Sequence, residues 1–254
     1  MFAGPDEDSG VRRQVHVWYA VTERLAESAL AEARDLLSPA ERARCDRFRF
    51  DRDRRDFAAA HALLRHALTV HEGAPASPWS FEEGVHGKPF LTPGQSALEF
   101  NLAHTNGLVA CALSHGGAVG VDVESLDRAV NGDDIARRYF SAPEILGLQE
   151  LAGVERATRF IELWTLKEAY LKAIGAGLSN PLNDFGFELT GSSALVFNAP
   201  AGVARADWQF ALFAPSAAHR MAVAVRSDRA VDYAVRSWPS GTAVAETAIR
   251  MSWV

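Results

Sequence analysis

The run Val119-Gly120-Val121-Asp122-Val123-Glu124 alternates valine with glycine and acid. Successive side chains of a strand point to opposite faces, so the three valines bury together and the two carboxylates stand side by side on the other face. Two such charges repel unless something positive sits between them. A hard divalent cation answers that need, because Mg²⁺ takes oxygen ligands and commonly uses one or two carboxylates plus substrate phosphates. The competing reading is a solvated strand face.

Some forty residues later comes Trp164-Thr165-Leu166-Lys167-Glu168-Ala169-Tyr170-Leu171-Lys172. Phe160, Leu163, Tyr170, Leu171 and Ile174 recur there at helical spacing. Lys167 falls in the middle of that apolar stripe, and a lysine is almost never fully buried without a partner. The expected partner is a carboxylate of the metal cluster, or a phosphate once a ligand is bound. Glu168 and Lys172 neighbour each other four residues apart, which also describes an ordinary surface pair.

Together the two segments resemble the signature of the 4′-phosphopantetheinyl transferases, in their two-lobed Sfp-type branch. That family carries a G-[IV]-D-[IV]-E strand and a later W-[ST]-x-K-E-[AS]-x-x-K helix, and both stand intact here. Weaker motifs match in the same order: Gly87-Lys88-Pro89, Phe100-Asn101-Leu102-Ala103-His104-Thr105, Phe140-Ser141-Ala142-Pro143-Glu144 and Gly175-Ala176-Gly177-Leu178. They span most of residues 38 to 190.

The resemblance implies an α+β fold of two similar lobes related by pseudo-twofold symmetry, with the active site in the cleft between them. It implies transfer of the phosphopantetheine arm of coenzyme A to a carrier-protein serine, with release of adenosine 3′,5′-bisphosphate. Asp122, Glu124 and Glu168 would hold Mg²⁺ against the pyrophosphate, and Asp122, Lys167 and Glu168 would form the catalytic group. Lys167 and Lys172 match positions near the phosphates. Lys88 and His104 match contacts to coenzyme A phosphates and ribose, and Arg44 keeps a positive charge at another expected position. Whether Glu168 or a metal-bound water takes the serine proton stays open. Two positions depart from the pattern. Ala103 replaces a common serine, and Glu41 stands where some members have lysine. Glu41 has a local explanation, since Ser38-Pro39-Ala40-Glu41 reads as a helix-capping box.

Composition narrows the alternatives. With 48% hydrophobic and 23% charged residues the chain is an ordinary globular one. No apolar run is long enough to span a membrane. Cys45 and Cys111 lie far apart without metal-ligand spacing, which fits a reduced, cytoplasmic setting. A net charge of −6 argues against general nucleic-acid binding and so against the main enzymatic alternative, a metal-dependent phosphodiesterase or nuclease. The non-enzymatic alternative is a coenzyme A-binding module. A monomer is expected, because two lobes in one chain supply both walls of the cleft.

The predicted strands lie near 15–20, 79–83, 98–103, 108–114, 118–124, 184–190, 194–198, 207–213, 219–225 and 231–237. Helices are predicted at 23–36, after Ser38, at 54–71 and 133–140, and through the Trp164 segment. Arginines crowd the stretch from Arg42 to Arg55, a solvated helix face or a basic rim for coenzyme A. Ser141-Ala142-Pro143-Glu144 is a second capping box, so Glu144 is read as a cap and not as a metal ligand. The division expected is a flexible tail over 1–14, an N-terminal lobe over 15–116 and a C-terminal lobe over 117–254.

Overall fold

The computed structural model describes residues 12–73, 79–84, 87–177, 181–190, 194–240 and 250–251. Strand β1 (Arg13–Val21) is followed by helices α1 (Glu27–Asp35), α2 (Pro39–Asp46) and α3 (Asp51–Glu72). A short pair, β2 (Phe81–Glu83) and β3 (Pro89–Leu91), leads to the hairpin β4 (Leu98–Thr105) and β5 (Leu108–His115). The second half repeats this plan. Strand β6 (Val119–Ser125) precedes α4 (Gly132–Tyr139), α5 (Ala142–Gln149) and α6 (Gly153–Ile174). Another pair, β7 (Gly186–Thr190) and β8 (Ala194–Asn198), leads to a second hairpin, β9 (Trp208–Ser216) and β10 (His219–Arg226). Strands β11 (Val231–Ser237) and β12 (Arg250–Met251) come last.

Pairing follows the same rule in both halves. The first strand lies against the last strand of the hairpin, giving β1-β5-β4 in one sheet and β6-β10-β9 in the other. The architecture is therefore α+β, with two lobes of one topology. Local signals repeat as well. Helices α2 and α5 both start on a capping box, at Ser38/Glu41 and Ser141/Glu144. Helices α3 and α6 both stop at a left-handed glycine, Gly73 and Gly175, a conformation that costs glycine nothing.

The layers are helix, sheet, sheet, helix. Val15, Val17 and Tyr19 of β1 face Val119, Val121 and Val123 of β6 across the central layer, joined by Met221, Val223 and Val225 of β10. The opposite faces pack on helices, Trp18 and Ala20 with α3, and Ala222 and Ala224 with α6. The valine alternation in β6 thus faces a second sheet, and its glycine and acids face α6.

Some elements depart from expectation. Strand β3, which begins at Pro89, was not legible as a strand. Strand β11 leaves the second half and pairs in parallel with β1, so the first sheet carries a strand from the end of the chain. Arg13 of the expected tail already belongs to β1. Residues 1–11 and Leu178 lie outside the described residues.

Candidate active site

Gly120 sets the spacing of the site. A Cβ there would overlap the carbonyl oxygen of Ala169 and the backbone nitrogen of Ala173, so only glycine lets α6 lie this close to β6. Asn101 of β4 accepts a hydrogen bond from the Val121 N–H at 2.8 Å and ties β6 to the first lobe. The next outward residues of β6, Asp122 and Glu124, then meet Lys172 and Trp164, α6 side chains that precede these alanines. Lys172 donates to Asp122 Oδ1 at 2.6 Å. Trp164 Nε1 donates to Glu124 Oε1 at 3.2 Å, and Thr105 Oγ1 to Glu124 Oε2 at 3.5 Å. Glu168 lies between these two levels of the helix.

All three carboxylates are raised above the ordinary range. Burial is the first cause for each. For Asp122, Lys172 pulls the other way. Glu124 is raised further by Asp122 and pulled back by Arg128. Glu168 reaches about 7, pushed by burial and by the charge of Asp122, with that of Glu124 adding to it. Asp122 Oδ2 and Glu168 Oε1 are buried without any hydrogen-bond partner. Buried polar atoms are normally satisfied, so two such orphans in one cluster mark a place prepared for something else.

The donor chemistry fits Mg²⁺, which takes carboxylate oxygens. The set is nevertheless not a preassembled cage. Among the described residues no group of three or more His, Cys, Asp or Glu side chains is arranged to hold a metal ion. Ion pairs engage two of the three acids in this structure. Lys172 holds Asp122, and Arg128 Nη1 lies 2.7 Å from both oxygens of Glu124.

Lys167 is a correction. It is buried as expected, with 0% of its side chain exposed, but its partner is Glu144 at 2.9 Å and not the carboxylate cluster. It also donates to the carbonyls of Leu182 and Phe185, at 2.7 and 2.6 Å, and lies over the Phe185 ring. Glu144 in turn caps α5 at Ser141 and accepts the Phe187 N–H at 3.0 Å. Lys167 and Glu168 are consecutive on a helix and so project in different directions, Glu168 toward β6 and Lys167 into the junction of α5, α6 and β7. The capping role read for Glu144 holds. That it also neutralises Lys167 was not legible, because an apolar stripe announces that a lysine needs an acid without saying which.

Lys88, Lys172 and Arg44 line adjoining depressions that reach Glu168. A cavity of about 270 Å³ is bounded by Lys88, Pro89, Asn101, Leu102, Glu168 and Lys172. Pro89 and Leu102 also border a larger depression, about 440 Å³, lined by Arg44, Phe57, His61 and Arg65. Lys88 donates to the carbonyls of Val119 and Ala173, at 3.1 and 3.3 Å, and burial pushes its ammonium down. His104, at the end of β4 with part of its ring in solvent, is lowered by burial and by the nearby Lys172 charge. Arg44 is exposed, over the Phe57 ring and 3.9 Å from Glu83. Glu41 caps α2 and accepts from His61 and Arg65 at 2.8 and 2.7 Å. Burial alone would raise it, but the hydrogen bonds from His61 and the Ser38 N–H hold it at about 2.

Both halves of the chain are similar to known proteins. Residues 118–225 match the model of the 4′-phosphopantetheinyl transferase superfamily, and residues 24–116 match that of the N-terminal part of 4′-phosphopantetheinyl transferases. The chain is 34% identical over 168 residues to 4′-phosphopantetheinyl transferase HetI of Nostoc, covering 65% of this chain and 70% of that protein. It is 30% identical over 211 residues to 4′-phosphopantetheinyl transferase psf-1 of Bacillus pumilus, covering 82% and 87%. To Sfp of Bacillus subtilis it is 30% identical over 153 residues, covering 60% and 66%. A crystal structure of a holo-(acyl-carrier-protein) synthase from Bacillus anthracis aligns with a TM-score of 0.37 at 20% identity, over 43% of this chain and 96% of that one. The chain belongs to the 4′-phosphopantetheinyl transferase family.

Proposed function

We propose that this enzyme transfers the 4′-phosphopantetheine arm of coenzyme A to a serine of an apo acyl, peptidyl or polyketide carrier protein, in a Mg²⁺-dependent reaction. The observation that carries the reading is the Asp122–Glu124–Glu168 cluster with its two orphaned oxygens, at the end of a groove that carries cations along its length. Coenzyme A lies along that groove, its adenosine end toward Arg44 and its pyrophosphate beside Lys88, His104 and Lys172. Asp122, Glu124 and Glu168 would hold the metal. Its contribution when bound is charge neutralisation on the phosphates, the main demand of phosphoryl transfer.

The chain's own residues supply the rest. Lys88 commits two of its three N–H groups to carbonyls, which fixes the ammonium against the pyrophosphate. Glu168 accepts the proton of the serine hydroxyl. The serine oxygen bonds to the phosphorus of the arm as the bond to the departing adenosine 3′,5′-bisphosphate breaks. Lys167 takes no part in contact with phosphate and holds α6 in place through Glu144.

We take residues 15–116 and 117–254 as the two lobes, with β11 reaching back across the boundary. The enzyme acts as a cytoplasmic monomer without a nucleic-acid partner, a reading supported by two free buried cysteines and a net charge of −6. No helix among the described residues is long and apolar enough to cross a membrane. The test is mass spectrometry of an apo carrier protein incubated with coenzyme A, Mg²⁺ and the enzyme. A gain of about 340 Da is expected, since in-line displacement leaves the whole arm attached. No gain on several carrier classes, with folded enzyme, rejects the proposal.

A further inference from the structure

Arg128 belongs to none of the motifs, yet it makes the closest contact to Glu124. It sits four residues after Glu124, in the short helical turn Leu126–Asn131 that follows β6. Its backbone neighbours are anchored: the Leu126 N–H donates to Ala218 and the Asp127 N–H to the Ser125 hydroxyl. The side chain is different. Its Nη1 is 2.7 Å from both Glu124 oxygens, while 64% of the arginine side chain is exposed against 6% of the glutamate. A solvent-borne guanidinium therefore closes over a buried carboxylate from outside. Lys172, the other cation of the cluster, lines the substrate cavity, and Arg128 does not.

Resting on the metal-dependent reading above, we propose that Arg128 is a releasable counter-ion that holds Glu124 in the metal-free enzyme and must let go of it before a divalent cation binds. Three physical points carry this. Three acids share one small cluster, and in the metal-free enzyme two cations close on it, Lys172 on Asp122 and Arg128 on Glu124. A guanidinium on both oxygens competes directly with any cation that would use them, and linkage makes that competition a loss of metal affinity. Finally, an exposed arginine on an anchored turn can swing into water at small cost, whereas Trp164 and Thr105 keep Glu124 oriented once it has gone.

The experiment is calorimetric titration of MgCl₂ and MnCl₂ into the full chain, with and without saturating coenzyme A, for wild type, Arg128→Gln and Arg128→Lys. Arg128→Gln is expected to bind the metal about fivefold more tightly, the scale of one favourable exposed ion pair. Its metal-free melting temperature should be lower than wild type, and added metal should raise it further than it raises wild type. Arg128→Lys separates a specific contact from general repulsion, because it keeps the charge but loses the planar fork. It should fall between the two in affinity. Metal affinity unchanged in Arg128→Gln, or Arg128→Lys indistinguishable from wild type, overturns the proposal. If wild type takes up no divalent cation even with coenzyme A present, the metal-dependent reading itself falls and this inference with it.

Discussion

The two lobes put the same elements together and fill them differently. Over β1, α3 packs an alanine-rich stripe, Ala59, Ala60, Leu63 and Ala67, on Trp18 and Ala20. Over β6, α6 faces Gly120, Asp122 and Glu124 with Ala169, Glu168, Lys172 and Trp164. The capping acids follow suit. Glu41 reaches Arg65 of α3, eight residues before the stop at Gly73, and Glu144 reaches Lys167 of α6, eight before the stop at Gly175. The first pair borders the groove and stays partly open, whereas the second is sealed. One lobe is held by apolar burial along its helix, and the other gives up part of that burial to hold three carboxylates. Chemistry sits where the packing was interrupted.

The largest effect is expected from removing one carboxylate of the interrupted interface. Glu168→Gln keeps shape and hydrogen-bonding capacity but loses the charge and the base. Turnover should fall about a thousandfold or more, a usual scale for losing a metal ligand and general base together. Stability should not fall, because the native carboxylate is buried beside two others. A kinetic assay alongside urea unfolding reads both. A variant that kept activity, or unfolded, would mean that the acids of this lobe are structural after all.

Next comes the contrast between the two capping pairs. Lys167→Met leaves Glu144 buried and uncompensated, which costs about 3–5 kcal/mol. Arg65→Met leaves Glu41 with His61, its own cap and solvent, and should cost about 1–2 kcal/mol. Urea denaturation measures each. The companion Glu144→Gln in the Lys167→Met background should recover part of the loss. Equal costs in the two lobes would break the comparison.

Much of this was legible in sequence, for identifiable reasons. The period-two valines named a strand with two unlike faces, and both capping boxes and both stop glycines are local signals that survive tertiary context. The duplication was hidden because equivalent faces carry different residues, Trp18 and Ala20 against Gly120, Asp122 and Glu124. Partners across elements were hidden too. Lys167–Glu144, Trp164–Glu124 and the return of β11 to β1 depend on distances that no spacing within one element encodes. Arg128 could have been found, since it lies four residues past Glu124, but a charge in a turn resembles any solvated arginine.

A methyl group tests the close approach itself. Gly120→Ala directs a Cβ at the backbone of Ala169 and Ala173, and backbone cannot turn aside as a side chain can. Overpacking of this kind costs about 3 kcal/mol. Helix α6 should move away from β6, so transfer activity should drop more than stability alone explains. Activity measured well below the melting temperature separates the two effects. Unchanged stability would show that the helices of the two lobes approach their sheets with equal slack.

The smallest expected effect is a pH dependence confined to the first lobe. His16 of β1 and His71 of α3 lie ring against ring, with centroids 3.8 Å apart. Trp18 Nε1 donates to His71 Nε2 at 3.2 Å, and Arg236 of β11 approaches His16 Nδ1 at 3.4 Å. Both imidazoles are held down to about 4, first by burial. For His16 the neighbour His71 acts next, then Arg236 and His115. For His71 it is Arg236 and His115, with Glu72 opposing. The folded value lies below the ordinary 6.5, so the unfolded chain takes up the protons first. Stability from this pair is full above pH 6.5 and is lost as the pH falls toward 4, by about 2 kcal/mol once partial exposure is allowed for. His71→Gln keeps an acceptor for Trp18 but cannot take a proton, so it should flatten that part of the melting-temperature profile. Transfer activity at neutral pH should not change, because this cluster lies in the lobe that holds the shape. A loss of activity in that variant at pH 7.5, with the fold intact, would mean that the apolar lobe feeds the carboxylate site, and the division of labour between the lobes would fail.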